Sequence, residues 1–291
     1  MHIFALFVGC APLPDLGAEA GRDAWTGDGA FSSIHTCAVD PAIDTIAYGV
    51  VAAADGAVWA IVGDDLFRYE PQFGARCTLV GTLIVDGGVS RLTTDPEGHA
   101  WALTRTTIRR FGLDGNPAFE CPQTAATSTL VLSEDRLWTW MAGESEARWS
   151  TWSDAGCDAA ATTVTTQVGL GYAGAIAPSG LAVGLPYAAE ADPVGAVLDP
   201  QTGAVTSWWA RASGMRDLES IAVDGDEFVV ATGGALHRIA PSGQVVGRLL
   251  PSAIFADPEI VLDQVSISGS DYWIIASDLG RSVILVMTAP L

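Results

Sequence analysis

The sequence predicts an all-β protein: a six-bladed β-propeller of four-stranded antiparallel blades, its ring closed by an N-terminal strand that completes the last blade. Three observations predict it. Strand-turn-strand text returns six times, as VVAAADGAVWAIV, LTTDPEGHAWALT, LVLSEDRLWTW, AIAPSGLAVG, IAVDGDEFVVAT and VSISGSDYWIIAS. The large second-strand residues Trp59, Trp101, Trp138, Val183, Phe228 and Trp273 are 42, 37, 45, 45 and 45 residues apart, and a period of about 40 to 45 is one four-stranded blade. The ends are complementary, because the last unit, from Val265, has room for three strands while FSSIHTCAVD (31–40) looks like a fourth strand without a blade. Joining them hides two sheet edges.

Taken in order, the chain divides into residues 1–10, a signal segment; 11–27, a flexible linker; and 28–291, the propeller. The apolar run Ile3–Val8 followed by Gly9 and Cys10 resembles the end of a bacterial lipoprotein signal peptide, with Cys10 as the lipidated residue. Two departures stand against that match: no Lys or Arg precedes the run, and Phe7 stands where a smaller aliphatic residue is usual. The expectation is an exported protein, a cell-envelope lipoprotein or a periplasmic or extracellular one, that meets the membrane only through its anchor. Within each copy the first hairpin is followed by a third strand and a tight turn, as in LFRYEPQFGA, IRRFGLDGNPA and GAVLDPQTGAV, where Pro, Gly, Asp and Asn suit turn geometry. No helical periodicity persists through these turns.

Hydrophobic residues make up 49% of the chain and charged residues 16%, with a mean hydropathy of +0.31, which excludes a disordered protein. The net charge is −20, from 34 acidic against 14 basic residues, every one of them Arg. Nucleic acid is therefore excluded as a partner, and the charge predicts a soluble monomer that favours cations or basic partners. Schiff-base chemistry is excluded because there is no Lys. No nucleotide-binding glycine pattern or G-x-S-x-G elbow occurs.

Cys37, Cys77, Cys121 and Cys157, spaced by 40, 44 and 36, fall near the starts of fourth strands. Equivalent rim positions would lie on the order of 15 to 20 Å apart, too far for the ~4.4 to 6.8 Å between Cα atoms of a disulfide. Three readings stay open: turns that lean toward the adjacent blade, a slipped register, or buried free thiols. Two bridges, Cys37–Cys77 and Cys121–Cys157, are the pairing that strains the spacing least, and they suit an oxidising compartment.

The motifs D-P-E-G-H-A-W (95–101), L-D-P-Q-T-G (198–203) and the R-Y or R-F after the second strand resemble those of NHL-like and streptogramin-lyase-like bacterial propellers. The resemblance implies the fold; the activity stays open, because this architecture carries lyases, lactonases, scaffolds and binding proteins alike. A lyase-like site requires a His base beside a metal, yet His35, His99 and His237 are predicted on different parts of the fold. A lactonase-like metal site uses more than one Asn, and Asn116 is the only one here.

Loops between second and third strands, and those between blades, converge on one face in a propeller. That face is predicted to carry Asp64, Asp65, Arg105, Glu144, Tyr187, Glu190, Asp192, Arg216, Asp217, Glu219, Asp263, Asp278 and Arg281, with the long loop 184–195 as its main contact. The reading is a non-catalytic binding or scaffold protein whose acidic loop face takes a protein, peptide or glycan, with no cofactor required. The alternative is a metal-dependent lyase or hydrolase holding a divalent cation with carboxylates such as Asp64, Glu190, Asp217 and Asp263. The recurrent acidic turns, Asp55-Gly56, Asp95 to Gly98, Glu134-Asp135 and Asp224 to Asp226, read as turn chemistry. Of Trp208 and Trp209, which alternate faces, one is available to an exterior surface.

Overall fold

In the computed structural model the described residues are 33–40, 47–73, 77–123, 127–133, 135–153, 155–158, 160–186, 193–211, 215, 218–255, 259–278 and 281–288. The N-terminal signal segment, Cys10 and the linker lie outside them. No helix among the described residues is long and apolar enough to cross a membrane.

The chain begins with β1 (Ser33–Asp40) and continues as six runs of strands. The first holds β2 (Ala47–Ala52), β3 (Val58–Val62), β4 (Asp65–Phe73) and β5 (Cys77–Val85); the second, β6 (Val89–Thr94), β7 (Ala100–Thr104), β8 (Thr107–Phe111) and β9 (Pro117–Pro122). The third holds β10 (Thr129–Leu132), β11 (Arg136–Trp140), β12 (Glu146–Ser153), the short β13 (Gly156–Cys157) and β14 (Thr162–Thr165). The fourth is β15 (Gly174–Ala177), β16 (Gly180–Gly184), β17 (Gly195–Leu198) and β18 (Val205–Trp209); the fifth, β19 (Leu218–Asp224), β20 (Glu227–Thr232), β21 (Ala235–Ile239) and β22 (Val245–Leu249). The sixth stops at three strands, β23 (Val261–Ser268), β24 (Asp271–Asp278) and β25 (Arg281–Thr288).

These strands form five sheets, where the sequence predicts six separate blades. The difference lies in β1, which is antiparallel to β25, with Cys37 opposite Ile284, and parallel to β5, with Cys37 opposite Cys77. The first and last runs therefore share one eight-stranded sheet, ordered β2-β3-β4-β5-β1-β25-β24-β23.

The second strands are buried because each is covered on both faces by neighbouring runs, the situation that turns alternation into a continuous apolar stretch. Trp59, Trp101, Trp138, Val183, Phe228 and Trp273 are all at most 3% exposed. Apolar clusters fill the gaps between runs: Trp59 and Phe111 pack between the first and second, Trp101 and Leu130 between the second and third, Val183 and Trp138 between the third and fourth. Trp209 and Phe228 join the fourth to the fifth, Ile274 and Leu236 the fifth to the sixth, and Trp273 and Val58 the sixth to the first. Burial of such side chains contributes roughly 1.5 to 3 kcal/mol each.

Both disulfides form, and the spacing conflict resolves differently for each. Cys37 and Cys77 are direct partners in the parallel β1–β5 ladder, with Cα atoms 4.5 Å apart. Cys121 lies in the fourth strand β9, but Cys157 does not start a fourth strand; it belongs to β13, an extension of the β12 hairpin, and so bridges to the preceding run with Cα atoms 5.5 Å apart.

Candidate functional site

The first strands of all six runs surround one cavity of about 650 Å³. An innermost strand has only one hydrogen-bonded neighbour, so its other edge must find partners elsewhere. Hydroxyl side chains supply them: Ser220 Oγ donates to Val265 O and accepts from Val265 N, Ser266 Oγ accepts from Ala52 N, and Thr129 Oγ1 donates to Tyr172 O at 3.1 Å. This lacing ties first strands to their neighbours and leaves the wall mixed in character, with Thr93, Thr129 and Gln264 beside Val51 and Ile176.

Charged groups on the wall are few. Arg91, on β6, is half-buried; its Nη1 donates to Ser90 O at 2.7 Å and its guanidinium stands 5.6 Å from the centre of the Tyr172 ring. Burial holds its pKa below the usual arginine value. Glu219, at the start of β19, and Asp263, at the start of β23, also line the cavity. Asp263 accepts a hydrogen bond from Ser277 Oγ, yet burial still raises its carboxyl above the usual aspartate value.

Of the residues expected on the converging face, Asp263 and Glu219 reach the channel. Asp64 and Asp65 instead hold the connection from β5 to β6: Asp64 Oδ2 accepts from Gly88 N at 3.0 Å and Asp65 Oδ1 from Gly87 N at 2.7 Å. Asp64 and Arg105 line a separate open hollow of about 410 Å³ with Asp86 and Arg109. Glu144 is exposed, and Asp278 and Arg281 are register partners at the end of the β24–β25 hairpin. Tyr187, Glu190, Asp192, Arg216 and Asp217 lie outside the described residues. The connection from β16 to β17 is the longest between a second and third strand, as predicted.

A second polar cluster occupies the opposite end of the second run. In the β6–β7 turn, ligand atoms of Asp95, Glu97 and His99 lie within 4.8 Å of one another, a donor set a divalent cation can use. Asp95 is 4% exposed and already heavily engaged. Its Oδ1 accepts from His99 N at 2.9 Å, and its Oδ2 from Trp101 Nε1 at 3.1 Å and Arg110 Nε at 2.9 Å. Arg110 Nη2 is also 2.8 Å from His99 Nδ1, so an ion there has to displace the guanidinium from both ligands. The turn is pressed against its neighbour: Gly98 has φ +82°, and a Cβ there would stand 2.0 Å from Ala54 N. Arg68 with Asp55 and Arg238 with Asp224 repeat the pairing of a third-strand Arg with a first-hairpin carboxylate at 2.5 Å. The Arg of the R-Y and R-F motifs thus braces the turn. His237 is fully buried on β21, neither ring nitrogen has a hydrogen-bond partner among the described residues, and burial pushes its pKa down to about 4.

Sequence reading missed Arg91 and Tyr172. Their signal was slight: one Arg within the first strand VSRLTT, and one Tyr two residues before another, GAIA. Trp209 is buried and Trp208 is 49% exposed, dividing as their alternation predicts.

No family model matches the sequence, and no curated protein is significantly similar to it. Solved structures share the fold. The gluconolactonase XC5397 of Xanthomonas campestris superposes with a TM-score of 0.59 at 13% identity, over 92% of each chain. A catalytically inactive variant of the virginiamycin B lyase of Staphylococcus aureus, solved with quinupristin, gives 0.53 at 12% identity over 88% of this chain and 99% of that one. The Pan2 WD40 domain of Neurospora crassa gives 0.56 at 10% identity, over 91% and 96%. The chain is a β-propeller with a streptogramin-lyase-like fold, and at these identities the likeness extends to the fold alone.

Proposed function

We propose that this is an exported, lipid-anchored, non-catalytic binding propeller. Counting the eight-stranded sheet as two blades gives a six-bladed ring closed by β1, and the ligand enters its channel from the acidic loop face, where a protein, peptide or glycan is held. The observation that carries this reading is the cavity of about 650 Å³ reached by all six first strands, within the roughly 300 to 1,000 Å³ of small-molecule sites. Its wall has no His or Cys among the described residues. The two disulfides suit an oxidising compartment.

The competing carboxylate-held cation of a lyase or hydrolase draws less support, since Asp64 and Asp263 line different cavities. Thermal-shift screening with peptides, glycans and Ca²⁺, Mg²⁺ and Mn²⁺ tests the proposal, in the wild type and in Thr93→Trp, which sets a bulky ring on the channel wall. The expected outcome is a ligand that stabilises the wild type and not the variant. Equal stabilisation of both proteins, or stabilisation by a metal ion with turnover of the bound compound, overturns it.

A further inference from the structure

Two opposite charges on the channel wall stand without partners of opposite sign among the described residues. Arg68, Arg109, Arg110, Arg136, Arg148 and Arg238 each lie within 4.0 Å of a carboxylate. Arg91 is within that reach of no carboxylate among the described residues, and one backbone carbonyl uses only a small part of its five-donor fork. Tyr172 holds the guanidinium against the wall. Asp263 is likewise half-buried with no cation beside it among the described residues; one oxygen takes the Ser277 hydroxyl and the other is left over. The strands that carry them, β6 and β23, flank β2 on the same wall.

A bare anion on Arg91 would face Asp263 and Glu219 in a chain of net charge −20, and a bare cation on Asp263 would face Arg91. Half-buried charges left uncompensated are costly, and a ligand bearing both signs compensates both. Burial shifts both groups toward their neutral forms, as expected where each lacks a counter-charge. The hydroxyl and amide groups of the wall suit the peptide bond between two such termini.

Building on the channel reading above, we infer that the channel binds a small zwitterion, an amino acid or short peptide with free ends, its carboxylate on Arg91 and its ammonium on Asp263.

Native mass spectrometry of the full chain against three libraries tests this: free amino acids and dipeptides, the same compounds N-acetylated, and the same compounds as C-terminal amides. Members of the free library are expected to bind, and blocking either end to weaken binding at least tenfold. Arg91→Met is expected to remove the discrimination against amides while keeping that against acetylated forms, and Arg91→Lys to restore part of it. Asp263→Asn is expected to do the converse, with unfolding midpoints showing that each variant is folded. Equal binding of free and blocked forms overturns the zwitterion while leaving the channel as a site. Binding of none of the three libraries also overturns it, and the Thr93→Trp screen then decides separately whether the channel binds anything.

Discussion

The β6–β7 turn and the channel wall use the same residue types in opposite ways. At the β6–β7 turn, Asp95, His99, Trp101 and Arg110 satisfy one another, and the carboxylate is nearly inaccessible. At the channel, Arg91 and Asp263 are half-buried and neither meets an opposite charge among the described residues. The first arrangement braces a turn against the preceding run. The second leaves charge on a cavity wall, the feature on which the zwitterion proposal rests. Enrichment in acidic residues does not distinguish them; the number of partners does.

Removing one member of the closed cluster should produce the largest loss. Asp95→Ala takes the carboxylate from the buried Arg110 and from the Trp101 N–H, and should cost about 3 to 5 kcal/mol, read from denaturant unfolding. An unfolding midpoint unchanged from wild type would reduce the cluster to decoration.

The seam comes next. Cys37→Ser with Cys77→Ser opens a loop of 40 residues and should cost about 2 to 4 kcal/mol under oxidising conditions, with the two proteins sharing one midpoint in reductant, which also opens Cys121–Cys157 in both. If reductant acts equally on both proteins, the seam is not where that stability resides.

His237 tests burial without partners. Its pKa is lowered to about 4 from an ordinary 6.5, so the neutral ring's contribution is fully present above pH 6.5 and is lost as pH falls toward 4. The loss is about 3 kcal/mol, and His237→Leu should flatten that part of the stability–pH curve while changing little at pH 7. The smallest effect belongs to the partly exposed pair of Arg68 and Asp55, where Arg68→Met should cost at most about 1 kcal/mol and less in high salt.

Much of the fold is legible in the sequence because a propeller repeats its own local chemistry. Turn, second-strand aromatic and third-strand Arg recur in most runs at a spacing of 37 to 45 residues, and the burial of Trp59, Trp101 and Trp138 follows from position alone. Reading β1 as a displaced fourth strand puts Cys37 at a position equivalent to that of Cys77 and too far from it to bond; the two meet because the parallel β1–β5 ladder merges two runs into one sheet. Cys157 was misplaced because β13 is only two residues long. Less of the site is legible. Asp64 and Asp65 have the composition of a site and the geometry of turn caps, while Arg91 and Tyr172 matter through a channel that exists only once the first strands are brought together.

The contrast between filled and unfilled charges is tested most directly by comparing the unfolding free energies of Arg110→Met and Arg91→Met without ligand. Arg110→Met leaves Asp95 buried without its cation and should cost about 3 to 5 kcal/mol, whereas Arg91→Met gives up one carbonyl bond and one ring contact and should cost no more than about 1 kcal/mol. Equal losses, or a larger loss for Arg91→Met, would mean that Arg91 is structural, and would contradict the account.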